Sequence, residues 1–168
     1  SALKRTAVIF DMDGVITDSE PIYTEAVNRA LAGTGNILTG DDQRSIMGSS
    51  VDFTWQWVMK RFCLAHDIEY WKRRYDPAVA ELLGINARPM QGLHALLDAL
   101  ESREVQIGIA TSAMGHWARA VLDKLGITER FASVASCEMV ENAKPAPDLY
   151  LLAAKHLGAS PSACLAIE

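Results

Sequence analysis

Short apolar runs alternate with helix-like stripes along most of this chain. The run at residues 6–10 is β-branched and apolar and ends in an Asp-x-Asp-Gly turn, a pattern typical of a strand buried on both faces. Similar runs at 105–110, 131–135 and 163–167 each follow a helical segment. Because strands that alternate with helices favour a parallel sheet, we predict an α/β fold with a Rossmann-like sheet core.

Three segments between these strands have the period of an amphipathic helix. Their apolar positions recur mostly at spacings of three and four residues: Leu93, Leu96, Leu97 and Leu100; Trp117, Val121 and Leu125; Leu149, Leu152, Ala153 and Leu157. Gly126 and Gly158 follow two of the segments, as glycines commonly do at helix ends. We expect each segment to form a crossover helix between parallel strands.

The region from 15 to 89 differs, since it contains helical stripes and no strand pattern. We therefore predict a sheet core formed by residues 1–14 and 90–168, with an α-helical cap domain inserted at 15–89. A Gly-Thr-Gly sequence at 33–35 has no strand before it, which favours a connecting loop over a phosphate-binding loop. We expect three tryptophans of this region to pack in a core rather than line a substrate pocket: Trp55, Trp57 and Trp71.

Polar residues near the start of this region suggest structural roles. Thr17 and Glu20 have the spacing of a capping box for the first cap helix. We expect Asp18 and Ser19 to serve the same helix start. The adjacent acidic residues at 41–42 are expected to be solvated surface.

Composition narrows the range of functions. The chain has 168 residues, of which 49% are hydrophobic and 22% charged, as in ordinary folded proteins. A net charge of −5 argues against nucleic acid or an anionic membrane as a partner, and neither a membrane span nor an export signal is evident. The three cysteines, Cys63, Cys137 and Cys164, lack metal-ligand spacing and predict reduced, mostly buried thiols. We expect a cytoplasmic monomer that binds a small molecule.

Polar residues follow each predicted strand, at the edge where parallel sheets bind ligands. They are Asp11 and Asp13 after the first strand, Thr111 and Ser112 after the second, Lys144 after the third, and Glu168 at the end of the fourth. All of them should therefore meet at one edge of the sheet.

Each of these residues has a functional and a structural interpretation. Two carboxylates as close as Asp11 and Asp13 repel each other unless a shared proton or a cation such as Mg²⁺ relieves them, but they could also be solvated turn residues. Thr111 and Ser112 could hold a phosphoryl group at the start of a helix, or could simply cap that helix. Lys144 offers a positive charge, although a lysine before proline is commonly just exposed.

Three segments resemble sequence motifs of the haloacid dehalogenase superfamily. Residues 11–20 (DMDGVITDSE) resemble its first motif, 110–112 (ATS) its second and 144–148 (KPAPD) its third. The resemblance covers nearly the whole chain. It is to the phosphatase and β-phosphoglucomutase branch, in which a helical cap follows the first strand.

The resemblance implies a covalent mechanism that depends on Mg²⁺. Asp11 would attack phosphorus to form an aspartyl phosphate, and Asp13 would act as acid and base. Thr111, Ser112 and Lys144 would bind the phosphoryl group. The metal ligands would be Asp11, Asp13 and Glu168.

A phosphatase acting on a small phosphorylated metabolite, such as a sugar phosphate, is our prediction. The alternative is a β-phosphoglucomutase-like sugar phosphomutase, which is weakened because Tyr23 stands where such enzymes tend to carry histidine and residues 48–50 lack their arginine. The family's fourth motif continues with a second acidic residue, whereas this chain ends at Glu168. We therefore expect a C-terminally truncated chain, for which a non-catalytic binding protein that keeps the fold is a third hypothesis.

Overall fold

The computed structural model of the protein describes residues 7–168, so Thr6 of the first predicted strand lies outside the described residues. The chain divides into two compact units. One, the sheet unit, runs to Asp18 and resumes at Ala87–Glu168, and the other, the helical unit, comprises Ser19–Asn86. The sequence places the same divisions after residues 14 and 89, a few positions away. That the inserted region acts as a cap stays a prediction.

The sheet unit is built on a parallel sheet, as predicted. Its described strands are β1 (Ala7–Phe10), β2 (Gln106–Ala110), β3 (Ser133–Ala135) and β4 (Cys164–Ile167), in the order β3-β2-β1-β4. Every pairing is parallel, and Phe10 of β1 lies opposite Ile109 of β2 and Ile167 of β4. The α/β fold class is therefore confirmed. The strand order reverses at β1, which marks its carboxyl end as the place where such sheets bind ligands.

Burial explains why these segments are strands. All four residues of β1 are buried, and so are those of β2 after Gln106. The third strand is shorter than predicted, because Phe131 precedes it and packs edge-on against Phe10 with ring centroids 6.1 Å apart. The fourth is less buried, with Leu165 48% exposed.

The described helices connect these strands or form the helical unit. They are α1 (Glu20–Ala30), α2 (Gly40–Ile46), α3 (Val51–Phe62), α4 (Ile68–Asn86), α5 (Leu93–Glu101), α6 (Gly115–Leu125) and α7 (Asp148–His156). Short 3-10 segments lie at Thr128–Arg130, Cys137–Met139 and Pro161–Ala163. Among the described helices, none is long and apolar enough to cross a lipid bilayer.

The three predicted crossover helices are α5, α6 and α7. Leu149 and Ala153 of α7, and Leu157 directly after it, pack in one core cluster with residues of β1, β2 and β3. In α5 the apolar stripe is narrower than predicted, because Leu93 and Leu97 are buried whereas Leu96 is 39% exposed. These contacts fix α7, and with it the loop that precedes it, against the sheet.

The helical unit has its own aromatic core. Trp55 is fully buried, stacks on Trp71 at 5.7 Å between ring centroids, and meets Tyr75 edge-on at 5.6 Å. Core packing of Trp55 and Trp71 is therefore confirmed, whereas Trp57 is half-buried. The 33–35 segment forms a turn with Gly33 at φ 89°, as expected of a connecting loop.

The prediction for the cysteines is wrong, and the prediction for residues 41–42 is confirmed for Asp41 but wrong for Asp42. All three cysteines are free, but Cys63 is exposed and the other two are partly exposed, so the prediction of mostly buried thiols fails. Asp42 was expected at the surface and is only 4% exposed. Its carboxylate accepts hydrogen bonds from the backbone N–H and hydroxyl of Thr39, each 2.9 Å long, and pairs with Arg61 at 2.9 Å. Asp42 thus completes the capping box that starts α2.

Replacing Asp42 by alanine should lower the free energy of unfolding by about 1–2 kcal/mol at neutral pH, because it removes a helix cap and the partner of Arg61. Urea unfolding followed by tryptophan fluorescence would measure this. Asp41→Ala is the matched control: the neighbouring side chain is 86% exposed and pairs with the exposed Arg44, so the expected change is within about 0.5 kcal/mol.

The contribution of Asp42 to the free energy of unfolding should also disappear in acid. The backbone N–H of Thr39, outweighing the opposing effect of burial and aided by Arg61, lowers the pKa of Asp42 below its ordinary value. A carboxyl whose pKa is lower in the folded state stabilises the protein above its unfolded pKa of about 4 and loses this effect as pH falls through the folded pKa. The stabilities of the original protein and Asp42→Ala should therefore converge in acid. A gap that stayed constant down to about pH 2 would contradict this.

Candidate active site

Asp11 lies directly beyond the carboxyl end of β1. Its backbone N–H donates to the carbonyl oxygen of Ile167 at 2.8 Å, which keeps it in register with β4. The backbone N–H of Met12 donates to Asp11 Oδ1 at 2.7 Å, while Oδ2 lies 3.2 Å from Lys144 Nζ. The side chain is 24% exposed. Both carboxylate oxygens are therefore oriented while the group remains accessible.

Lys144 contacts three acceptors at this edge of the sheet. Its Nζ lies 3.2 Å from Asp11 Oδ2, 3.4 Å from Glu168 Oε1 and 3.0 Å from the hydroxyl of Tyr150. The lysine side chain is only 17% exposed, so the alternative of a merely exposed lysine does not hold. We call Asp11, Lys144, Tyr150 and Glu168 the ammonium cluster.

Tyr150 is the member of this cluster that sequence reasoning missed. Its hydroxyl donates to Glu168 Oε1 at 2.6 Å, and its ring lies under Lys144 with 4.6 Å between Nζ and the centroid. Burial, the bond to Glu168, and the negative charges of Asp11 and Glu168 raise the pKa of Tyr150. The bond from Tyr150, and then the charge of Lys144, lower the pKa of Glu168. Its role could have been predicted from its position, because Tyr150 lies in the first turn of α7, directly after the loop that carries Lys144.

Asp13 lies in a tight turn that follows Asp11. Gly14 has φ 76°, a conformation that glycine adopts readily, and its N–H donates to Thr17 O at 2.8 Å. Asp13 pairs with Thr17 in an isolated β-bridge and is partly buried. The turn therefore folds the chain back on itself and places Asp13 close to the end of β1.

Thr111 and Ser112 follow β2, the neighbour of β1. Thr111 is fully buried; its N–H donates to Ala135 O at 2.9 Å, and its hydroxyl oxygen accepts from Ala113 N at 3.0 Å. Ser112 is exposed. Neither residue caps α6, because the N-cap position is Met114, so the helix-cap interpretation is wrong.

A backbone N–H at the start of α6 instead finds its hydrogen-bond acceptor in Glu138, a residue that sequence reasoning did not single out. Glu138 Oε1 accepts from the N–H of Gly115 at 2.9 Å. Burial opposes ionisation, but hydrogen bonds from the backbone N–H groups of Glu138 and Gly115 outweigh it and lower the pKa of Glu138. Negative charge is favoured at that end of a helix.

The predicted capping box at Thr17 and Glu20 is wrong. Helix α1 begins at Glu20 with Ser19 at the N-cap position, whose side chain makes no capping hydrogen bond. Thr17 is fully buried, and its hydroxyl donates to Arg88 O at 2.7 Å. Glu20 instead accepts from the N–H of Gly48 at 3.3 Å. The tertiary partner displaces the local one because Thr17 lies inside the sheet unit.

Oxygen ligands are available for a cation at this edge. Within residues 7–168, no three His, Cys, Asp or Glu side chains lie close enough together to hold a metal ion. Carboxylates at the ammonium cluster nevertheless suit Mg²⁺, which is commonly bound through one or two carboxylates and otherwise by water and substrate oxygens. The oxygen donors are of the type that magnesium binds, but no three of them are brought together among the described residues, so the ligand set Asp11, Asp13 and Glu168 stays a prediction.

Comparison with known proteins places the chain in a family. A sequence model described as haloacid dehalogenase-like hydrolase matches residues 6–168. The phosphorylated carbohydrates phosphatase of Thermotoga maritima is 30% identical over 96% of this chain and 75% of its own length. The fructose-1-phosphate phosphatase YqaB of Escherichia coli is 28% identical over 98% of this chain and 87% of its own length.

A solved structure supports the same placement. The β-phosphoglucomutase of Clostridium difficile has a TM-score of 0.72 and 26% identity, over 97% of this chain and 75% of that one. The chain therefore belongs to the haloacid dehalogenase-like hydrolases, as the motifs indicate. The enzyme class predicted from the sequence, a phosphoric monoester hydrolase, is confirmed.

A double-mutant cycle tests whether Thr17 and Glu20 act independently rather than as a capping box. Thr17→Val should lower the free energy of unfolding by about 1–3 kcal/mol, because a buried carbonyl-bound hydroxyl is lost. Since Thr17 and Glu20 have different partners, the effects of Thr17→Val and Glu20→Ala in urea unfolding should add within about 0.5 kcal/mol. A clear coupling between the two substitutions would restore the capping box and contradict the assignment.

Proposed function

We propose that the protein is a Mg²⁺-dependent phosphatase that acts on a small phosphorylated metabolite through an aspartyl phosphate on Asp11. One observation carries the proposal: the Asp11 carboxylate lies 3.2 Å from the Lys144 ammonium at the end of β1, where the strand order reverses. An accessible carboxylate beside a fixed cation can approach a phosphoryl group that would otherwise repel it.

Asp11 is the nucleophile in this proposal. One of its carboxylate oxygens forms a bond to phosphorus while the bond from phosphorus to the ester oxygen breaks, and Asp13 donates a proton to that departing oxygen. Asp13 then takes a proton from a water molecule, whose oxygen attacks phosphorus. The bond between phosphorus and Asp11 breaks, which releases inorganic phosphate and restores both carboxyl groups.

The remaining residues hold the phosphoryl group. Lys144 offsets its negative charge, and the Thr111 hydroxyl, which accepts from Ala113 N, can donate its own hydrogen to a phosphoryl oxygen. Ser112 is exposed next to Thr111 and adds a second hydroxyl. Bound Mg²⁺ would supply further positive charge to the phosphoryl oxygens. Its ligands in this proposal are Asp11, Asp13 and Glu168.

A sugar phosphate is the substrate class that we favour. Two of the relatives carry names that refer to phosphorylated carbohydrates and to fructose 1-phosphate. We assign the choice among such substrates to the predicted cap, residues 15–89. A monomeric state and a cytoplasmic location remain part of the proposal.

A sugar phosphomutase is the second candidate, because a solved β-phosphoglucomutase shares this fold at 26% identity. Incubation with a hexose phosphate and a hexose bisphosphate primer separates the two. A phosphatase releases inorganic phosphate and accumulates free sugar, whereas a mutase returns an isomeric hexose phosphate with little release.

Phosphate release from an aryl phosphate and a panel of sugar phosphates tests the proposal. Asp13→Asn should lower kcat by about 10²–10⁴-fold, which is the usual contribution of a general acid/base group to the rate. Asp11→Asn should lower kcat further, because the nucleophile is lost. Chelation of divalent cations should abolish turnover, and added magnesium should restore it.

Asp123→Asn is the matched control, since this carboxylate is exposed on α6 and bonds only to the Thr128 hydroxyl among the contacts described for it. It should leave kcat within about twofold. Turnover by Asp11→Asn equal to that of the control would end the proposal.

A further inference from the structure

The hydroxyl of Tyr150 joins two charged groups of the ammonium cluster. It accepts from Lys144 Nζ at 3.0 Å and donates to Glu168 Oε1 at 2.6 Å. We propose that Tyr150 is a positioning residue that fixes the ammonium group of Lys144 for phosphoryl transfer. This inference rests on the proposed function, because it assigns a role to a neighbour of the same site.

The ammonium group has no spare donor in this arrangement. It carries three N–H groups and faces three acceptors: Asp11 Oδ2, Glu168 Oε1 and the Tyr150 hydroxyl. A phosphoryl oxygen can bind Lys144 only if one of these contacts is given up. The contact with Glu168 is the longest, at 3.4 Å, and is the one that we expect to be released.

Tyr150 makes that release inexpensive in free energy. When Lys144 turns from Glu168 to a phosphoryl oxygen, Glu168 Oε1 keeps the 2.6 Å bond from the Tyr150 hydroxyl. Lys144 meanwhile keeps Tyr150 as an acceptor and remains beside Asp11. Without the hydroxyl, Lys144 would be held by the two carboxylates alone, and Glu168 would compete for it with the negative charge of the phosphoryl group in the transition state.

The ring of Tyr150 has a separate, structural role. It packs against the core cluster of α7 and the strands, and its face lies 4.6 Å from Lys144 Nζ. Both contacts survive in Tyr150→Phe, which deletes only the hydroxyl. This variant should therefore fold, and its free energy of unfolding in urea checks that it does.

Steady-state kinetics on an aryl phosphate tests the inference. Tyr150→Phe should lower kcat by about 10–100-fold, the usual effect of removing a group that orients a catalytic residue, with KM within about twofold. Ser102→Ala, which deletes an exposed hydroxyl directly after α5 in the sheet unit, is the matched control and should leave kcat unchanged. A Tyr150→Phe enzyme with the kcat of the control would overturn the inference.

A double-mutant cycle shows whether Tyr150 acts through Lys144. In a Lys144→Ala background, the further change Tyr150→Phe should alter kcat by less than about threefold, because no ammonium group remains to be positioned. A loss as large as in the Lys144 enzyme would mean that the hydroxyl acts independently, which would also overturn the inference.

A readout that needs no turnover separates this inference from the proposed function. The ¹⁵N signal of the Lys144 ammonium group, assigned by its absence in Lys144→Ala, should shift in Tyr150→Phe and stay in place in Ser102→Ala. If the original protein hydrolyses no phosphate ester, the proposed function fails and this signal alone decides whether Tyr150 fixes Lys144. An unmoved signal overturns the inference in either case.

Discussion

The contact between the Lys144 ammonium and the Asp11 carboxylate is the interaction on which the site depends. At 3.2 Å it joins residues that lie far apart in the sequence, and Glu168 and Tyr150 complete the same cluster. The carboxylates of Asp11 and Glu168 repel each other unless a shared proton or a nearby positive charge relieves the repulsion. Lys144 supplies that charge, because α7 is packed on the sheet and its preceding loop is presented at the ends of β1 and β4.

A separate set of hydrogen bonds joins the point where the chain leaves the sheet unit to the point where it returns. The turn after Asp11 is closed by Gly14 and Thr17, and the hydroxyl of Thr17 then bonds to the carbonyl of Arg88, where the chain returns to the sheet unit. The backbone N–H of Met90 also donates to Ile16 O at 2.8 Å. The segments at 14–17 and 88–90 are thus hydrogen-bonded to each other within the sheet unit.

Much of this arrangement could be predicted from the sequence, because it follows from periodicity and strand order. Four apolar runs predict the sheet, and the rule that ligands bind at strand ends brings Asp11, Thr111, Lys144 and Glu168 to one edge. Side-chain partners could not be predicted. The spacing of Thr17 and Glu20 fits a capping box, but burial gave Thr17 a tertiary acceptor instead. Tyr150 was missed for the same reason, since its bond to Glu168 joins residues 18 positions apart. Asp42 was missed although its capping box with Thr39 is a local pattern.

Trapping the covalent intermediate tests the central claim most directly. The protein would be mixed with Mg²⁺ and a phosphate ester that it hydrolyses, and the reaction would be quenched in acid within the first turnover. The protein would then be digested and analysed by mass spectrometry. The account predicts one added phosphoryl group on the peptide that contains Asp11, removed by hydroxylamine as expected of an acyl phosphate. Rapid phosphate release with no modified Asp11 peptide, or with the phosphoryl group on another residue, would contradict it.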